Sequence, residues 1–255
     1  MLKIIINGVN GKMGSVLRAV IEAETDLQII AGFDAKFGDA PLPFKFYTNP
    51  ADCAHGADVL IDFSHFTAVP ALLEYCLRTK TPTVVATTAL GDLERARIED
   101  ASAQIPVFRS ANMSLGVNAL LHAARRAAPA LESDFNIEII EKHHGKKTDS
   151  PSGTALMIAE AINDVLAVRK DFVFGRHGKN DECKITDLGI HAIRGGSLPG
   201  EHSVLFLGPD ETVEIKHTVF SRKVFALGAV KAARFLAGKP PGLYSMDDLL
   251  SAGSV

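Results

Sequence analysis

The chain has 255 residues, 47% of them hydrophobic, enough to build one large domain or two modest ones around a proper core. Its formal net charge is −3 with 22% charged residues, so no general attraction to nucleic acid or to an anionic membrane is expected, and any cationic site must be local. The three cysteines, Cys53, Cys76 and Cys183, lie far apart without a CxxC pair, so neither a disulfide framework nor a zinc ribbon is indicated, and a reducing cytoplasm fits.

In chain order, Met1-Leu2-Lys3 runs into a short apolar stretch that Asn7 and Gly8 end; it is too short for a signal-peptide core, and no membrane-spanning run follows. Strands are predicted at Leu2–Ile6, Leu27–Phe33, Ala57–Phe63, Thr83–Thr87 and Pro106–Arg109, with helices over Lys12–Ala23, Phe66–Arg78 and Leu93–Ser102 between them. Strands alternating with helices predict a parallel, doubly wound sheet with right-handed crossovers. The runs IIIN and TVVAT are apolar without alternation, as strands covered on both faces should be. After Met113 the pattern changes. A helix over Leu115–Ala128 precedes FNIEIIE (135–141), which alternates like a strand with one wet face, and another helix follows Ser152. HSVLFLG and ETVEIKHTVF flank Pro209-Asp210 and read as a hairpin, hence a second domain with an antiparallel or mixed sheet. VFALGAVKAARFLAG is an amphipathic helix, stopped by Gly238 and Pro240, that could belong to either domain.

The first motif is INGVNGKMG, with glycines at 8, 11 and 14, between the first strand and the first helix. Glycine permits the tight turn and a close approach of backbone N–H groups to a pyrophosphate, and the helix N-terminus adds partial positive charge. Asp34 ends the second strand and can accept hydrogen bonds from both ribose hydroxyls of a nicotinamide dinucleotide. Its charge would repel a 2′-phosphate, which argues for NADH, while Lys36 could offset that repulsion. The strand ends DFSHF (62–66) and ATTAL (86–90) stand where such a sheet binds ligands, with small hydroxyl residues that leave room for a nicotinamide ribose; His65 reads as a rim residue.

The second motif is EKHHGKKTDSPSGTAL, residues 141–156. Adjacent residues on a strand point to opposite faces, so His143 and His144 have different roles unless the chain turns, as Gly145 permits. Lys146 and Lys147 differ in the same way. Ser150 or Ser152 can cap the following helix, and Pro151 tolerates a first-turn position. Gly153 and Thr154 then offer free N–H groups at a helix N-terminus, an anion site in itself. Cations and free N–H groups within a dozen residues suit carboxylate or phosphate, at about 1.5–3 kcal/mol per charge-assisted bond. A metal site built from His143, His144 and Asp149 with His202 or His217 is the rival reading, but the spacing fits no compact zinc pattern and the two lysines would repel a cation.

These residues resemble the 4-hydroxy-tetrahydrodipicolinate reductase (dihydrodipicolinate reductase) family across nearly the whole chain. EIIEKHHGKKTDSPSGTA is similar to that family's signature, supported by GVNGKMG, ATTAL, SANMSLGVN, GEHSVLF and the tail GLYSMDDLL. The resemblance implies an α/β fold: a Rossmann-type doubly wound parallel sheet over 1–113 and 222–255, plus a second α+β domain with a mixed sheet over 114–221 that binds substrate and assembles the oligomer. Crossings near Asn112–Leu115 and Ser221–Lys223 and a homotetramer are implied as well.

By the same resemblance, Gly8, Val9, Asn10, Gly11, Lys12 and Met13 match the phosphate loop and Asp34 the ribose-binding acid. Ala35 stands where many members carry an arginine for the NADP phosphate, so NADH or NADPH is implied, with NADH preferred. Ala86, Thr87 and Thr88 match a nicotinamide-side loop; Ala111, Asn112, Met113 and Ser114 match an interdomain loop that also touches the coenzyme. His143 matches a proton donor or acceptor and Lys147 a proton donor. His144, with Lys147, Ser152, Gly153 and Thr154, would bind a small dicarboxylate substrate, with no metal. The implied reaction is NAD(P)H-dependent reduction of a cyclic imine diacid after loss of water, in lysine biosynthesis by the diaminopimelate route.

Overall fold

A computed structural model describes residues 1–38, 41–179 and 182–253. The chain forms two compact units, one of Met1–Ser114 together with the stretch from Arg222 onward, the other of Leu115–Ser221. The first unit contains β1 (Leu2–Asn7), α1 (Lys12–Glu22), β2 (Leu27–Phe33), β3 (Lys45–Tyr47), β4 (Val59–Asp62), α2 (Val69–Thr79), β5 (Thr83–Val85), α3 (Asp92–Ser102) and β6 (Pro106–Arg109). The second holds α4 (Leu115–Leu131), β7 (Asn136–His143), α5 (Gly153–Asn163), β8 (Asp171–Val173), β9 (Asp187–Arg194), β10 (Gly200–Leu207) and β11 (Thr212–Val219). The chain then returns to the first unit with α6 (Lys223–Leu236), β12 (Gly242–Tyr244) and α7 (Met246–Ser251).

In the first unit a seven-stranded sheet runs β12-β6-β5-β4-β1-β2-β3, and every pairing is parallel. Ile4, Ile5 and Ile6 are all fully buried, because helices cover both faces. Ile5, Leu60 and Val85 pack with Leu72, Tyr75 and Ile98 from α2 and α3. On the other face α6 lies against α1 and against β4, β5 and β6. Strand order reverses at β1, between β2 and β4, and the crevice beyond the carboxyl ends of these strands is where such sheets bind ligands. The strand expected over Ala57–Phe63 is shorter, Val59–Asp62, and two further boundaries shift for a visible reason. The strand predicted to reach Thr87 stops at Val85, because Thr87 Oγ1 turns back to donate to Asp62 at 2.7 Å. The helix predicted from Phe66 begins with a 3-10 turn at Phe66–Ala68, capped by the His65 side chain, before α2 proper.

The second unit is a mixed sheet in the order β11-β10-β7-β9-β8, antiparallel at β11·β10 and β10·β7, parallel at β7·β9 and β9·β8. Ile137 and Ile139 of β7 pack with Val204 and Phe206 of β10 beneath Leu120 and Ala124 of α4 and Ile158 and Ile162 of α5. The expectation of a wet face on 135–141 is corrected here: β7 is the central strand, and both Glu138 and Glu141 are buried. Each is buried because a partner on β9 meets it. Arg194 and Ser152 bond Glu141, while His191 and Arg176 bond Glu138. β9 has no clear strand pattern in the sequence because it is built around those acids: a Cβ at Gly189 would collide with the Glu138 carboxylate. The helix expected to end at Ala128 runs through Pro129 to Leu131, although Pro129 has no backbone N–H to donate within it.

Gly228 sits on α6 where a Cβ would run into the carbonyl of Met113. Gly228→Ala should therefore destabilise the fold by about 1–3 kcal/mol, read as a lower urea midpoint. An unchanged midpoint would mean that α6 can move aside at no cost.

Candidate functional site

In the first unit the residues expected to hold a coenzyme surround two cavities at the carboxyl end of the sheet. Asn10, Gly11 and Asp34, joined by Ser15, Arg18, Lys36, Phe37 and Leu42, line one of about 520 Å³. Met13, Ala86, Thr87, Thr88, Ala111, Asn112 and Met113 line the other, of about 340 Å³, with Phe63, Ser64, Arg222 and Phe225. The glycine loop between them is a tight cradle. Gly8 has φ +78°, and a Cβ there would meet the carbonyl oxygen of Phe63 at 2.8 Å. The N–H groups of Gly8 and Val9 both donate to Phe33 O, that of Asn10 to Asp34 Oδ2, and that of Gly11 to Gly8 O. The first intrahelical bond of α1 runs from Ser15 N to Gly11 O, so the amides of Lys12 and Met13 precede it and point out of the helix N-terminus. Val9 is fully buried and braces the loop with its side chain against Gly32; Ser114 is buried as well, and neither lines these two cavities.

Asp34 accepts from Asn10 N at 3.0 Å and from Lys36 N at 3.2 Å, one bond to each oxygen, which fixes the carboxylate at the cavity wall. Lys36 and Arg18 line the same cavity as the acid. Behind the second cavity lies Asp62, which motif reasoning passed over. It is fully buried and accepts from Asn7 Nδ2 (2.9 Å), Ser64 N (3.0 Å) and Thr87 Oγ1 (2.7 Å). These donors sit at the ends of β1, β4 and β5, so one carboxylate ties the three loops together. Burial pushes its carboxyl upward, against the pull of its donors.

In the second unit the 141–156 segment folds as a strand end, a turn and a helix start. β7 ends at His143; Lys147 N bonds His144 O, closing the turn through Gly145, and Ser152 caps α5 by accepting from Ala155 N at 3.1 Å. Ser152 rather than Ser150 is thus the cap, and Pro151 stands ahead of it, outside the first turn where it was expected. The organising group is Glu141, fully buried. Its Oε2 takes His143 Nδ1 at 2.6 Å and Arg194 Nη1 at 2.7 Å; its Oε1 takes Arg194 Nη2 at 2.6 Å and Ser152 N at 2.9 Å. The His202 ring stands edge-on to His143, centroids 5.2 Å apart, and its Nε2 bonds Ser152 Oγ at 2.9 Å. Lys147 Nζ lies 2.8 Å from Asp149 Oδ1. His144 leaves the strand through a backbone bond to Leu198 O, and its Nδ1 is buried without a partner among the described residues. Gly153 and Thr154 open α5, and a Cβ at Gly153 would meet nothing within 4 Å, so its backbone is approachable. Among the described residues no group of three or more histidines, cysteines or carboxylates is arranged for a metal ion.

Burial lowers the pKa of His143, partly offset by Glu141, and lowers that of His202 to about 4. Glu141 is held below the usual carboxylate range because Arg194, His143 and Ser152 outweigh the cost of its burial. His143, Lys147 and the α5 N-terminus could each be found in the sequence motif. Glu141 is in that motif too, but its role needed Arg194, which comes from a strand the sequence does not announce. Arg222 and Phe225 were visible only as the point where the chain returns to the first unit.

A parallel sheet with a glycine loop, an acid just beyond its second strand and two cavities beyond its strand ends defines a Rossmann-type dinucleotide-binding fold, here followed by a second unit with a serine-capped helix start. The chain belongs to the dihydrodipicolinate reductase family: residues 2–113 match the family described as "Dihydrodipicolinate reductase, N-terminus" and residues 116–250 that described as "Dihydrodipicolinate reductase, C-terminus". It is 48% identical to the 4-hydroxy-tetrahydrodipicolinate reductase of Caldanaerobacter subterraneus subsp. tengcongensis over 99% of this chain and all of that one. Identity to the enzyme of the same name from Clostridium tetani is 43%, over 99% of this chain and 98% of that one. Among solved structures, the dipicolinate-bound dihydrodipicolinate reductase from Paenisporosarcina sp. TG-14 shares the fold with a TM-score of 0.80 at 22% identity, covering 96% of this chain and 97% of that one. A probable dehydrogenase from Thermotoga maritima shares it at a TM-score of 0.60 and 13% identity, over 98% of this chain and 93% of that one.

The depressed histidines set a pH dependence of stability. Between the ordinary histidine pKa near 6.5 and about 4, the unfolded chain binds protons that folded His202 refuses. Stability should therefore fall as pH drops through that window and be indifferent to these groups above it. Urea midpoints from pH 7.5 to 4.5 should show this, with a shallower fall in His202→Gln. A fall of equal steepness in the variant would contradict it.

Proposed function

We propose that this chain catalyses the NAD(P)H-dependent reduction of 4-hydroxy-tetrahydrodipicolinate to tetrahydrodipicolinate with loss of water, a step in the diaminopimelate route to lysine. The family match over the whole chain supports the reading. The observation that carries it is the gathering of His143, Lys147 and a helix N-terminus into one strand–turn–helix segment, in a chain whose other unit has a dinucleotide-binding fold.

The substrate is a six-membered cyclic imine with two carboxylates. Loss of its hydroxyl with a proton, as water, leaves a conjugated, electron-poor ring. A bound reduced nicotinamide supplies the hydride for the carbon that carried the hydroxyl. Lys147, His144 and the backbone of Ser152, Gly153 and Thr154 hold the carboxylates and stabilise the negative charge that the hydride's electron pair drives through the ring. A proton then completes the reduction. Lys147 is the better donor. Burial disfavours the charged form of His143, while Lys147, about one fifth exposed and paired with Asp149, is in contact with solvent and can exchange protons with it.

The coenzyme is assigned to Gly8 through Met13, Asp34, Ala86, Thr87, Thr88 and the stretch Ala111–Ser114. The pyrophosphate belongs at the amides of Lys12 and Met13, the adenosine ribose at Asp34, and the nicotinamide in the cavity lined by Thr87, Asn112 and Met113. Asp34 and Ala35 favour NADH; Arg18 and Lys36 beside them make room for the charge of NADPH. The second unit is the substrate-binding and oligomerisation domain of a homotetramer. The sheet face opposite α4 and α5 bears exposed Ile193 and the Lys142–Glu201–Lys216 ion cluster, an ordered surface for a second copy. No described helix is long and apolar enough to cross a membrane, and the proposed location is the cytoplasm.

Lys147→Ala and His143→Ala should each lower kcat by about 10²-fold or more, followed as coenzyme oxidation with substrate generated in situ; near-normal turnover in both would remove the assignment. For the coenzyme, the double variant Arg18→Ala, Lys36→Ala should lose about tenfold more kcat/KM with NADPH than with NADH, the size of one charge-assisted bond. Equal losses with both coenzymes would place the two cations away from the 2′-phosphate.

A further inference from the structure

We propose that Arg194 is a positioning residue which, by claiming both oxygens of Glu141, holds His143 as a neutral imidazole with Nδ1–H toward the carboxylate and leaves Nε2 as a hydrogen-bond acceptor. A carboxylate beside a histidine ordinarily favours the charged imidazolium. Here the carboxylate has a prior partner. Arg194 reaches it through a two-pronged fork at 2.6 and 2.7 Å, the strongest geometry available to an ion pair. The guanidinium is itself held, with Nη1 donating to Ile193 O and Nη2 to Asp149 O, each at 2.8 Å. It lies opposite His143 across the β7·β9 pairing, so the two compete for one negative charge from neighbouring strands. The Glu141–Arg194 pair is neutral as a unit, and a charged His143 would leave an uncompensated cation in a site that is nearly closed to water.

The other groups around His143 act in the same direction or are spent. On the following turn Lys147 is positive, and its counter-charge Asp149 is bonded to it. From β10 comes His202, itself neutral, with His217 of β11 next to it in register. From α5 comes a helix N-terminus, which also disfavours a cation. The acid Glu201 is paired with Lys142 and Lys216 on the opposite face of the sheet. With Nδ1 committed to Glu141, Nε2 stands next to Gly200, where even a Cβ would approach it to 3.0 Å. Removing Arg194 should therefore turn Glu141 and His143 into an ordinary ion pair and convert Nε2 from an acceptor into a donor.

This rests on the reading of His143 as part of the active site, but its first test does not need turnover. In the full-length protein without ligands, the nitrogen NMR shifts of the His143 ring, assigned by loss of the signal in His143→Gln, report protonation state and tautomer. The wild type should show neutral imidazole protonated on Nδ1 at pH 7, titrating below 6.5. In Arg194→Gln the titration should move upward by about one unit or more, and Arg194→Lys, which keeps the charge, should restore most of the wild-type value. Imidazolium in the wild type at pH 7 would overturn the proposal whether or not any variant folds. So would a folded Arg194→Gln protein with an unmoved titration. If the titration moves but the pH profile of kcat does not, the device stands and the active-site reading of His143 fails.

Discussion

The second unit is organised around a carboxylate that has been taken out of water and given four donors in exchange. Glu141 is fully buried on the central strand, and its partners come from three elements: its own strand, β9 and the cap of α5. An isolated buried carboxylate would cost several kcal/mol or would simply protonate. A guanidinium in fork geometry keeps it charged, and once charged it fixes both the ring of His143 and the start of α5. The cost of losing any one partner is high for the same reason, since the remaining groups would be buried without compensation. The His143 imidazole and the N-terminus of α5 thus share one anchor and keep a fixed spacing.

The first unit uses the same device in a different place. Asp62 is buried at the carboxyl end of β4 and gathers donors from the ends of β1, β4 and β5. Parallel strands end in loops with few bonds of their own, and the ligand must be met by those loops. A single acid that bonds three of them gives the cavity a defined wall. The glycine loop needs no such anchor, because the carbonyl of Phe33 takes two of its amides and Asp34 a third, which leaves the start of α1 facing outward.

Much of this was legible in the sequence, and the parts that were not have physical reasons. Unbroken apolar runs such as Ile4–Ile6 announce a doubly covered parallel sheet, and the glycine loop, Asp34 and the cationic segment announce the two sites. Strands β3, β8 and β12 are three residues long, too short to show a period. β9 fails to read as a strand because Gly189 makes room for Glu138, and because Arg194 and His191 stand on it for the sake of acids fifty residues earlier. The supposed wet face of β7 was the same error seen from the other side: a glutamate reads as solvent-facing until its partner is known. The long-range pairing of a buried acid with its donors is what local pattern cannot supply, and it builds both anchors.

The central claim is that the groups fixed by Glu141 serve reduction of a doubly charged cyclic imine by a nicotinamide coenzyme. It is tested most directly by mixing the purified chain and NADH or NADPH with substrate formed in situ from pyruvate and aspartate semialdehyde, and following coenzyme and product together. The account predicts one coenzyme oxidised for each tetrahydrodipicolinate formed. A folded protein that binds the coenzyme yet oxidises none of it above the rate without protein would contradict the account.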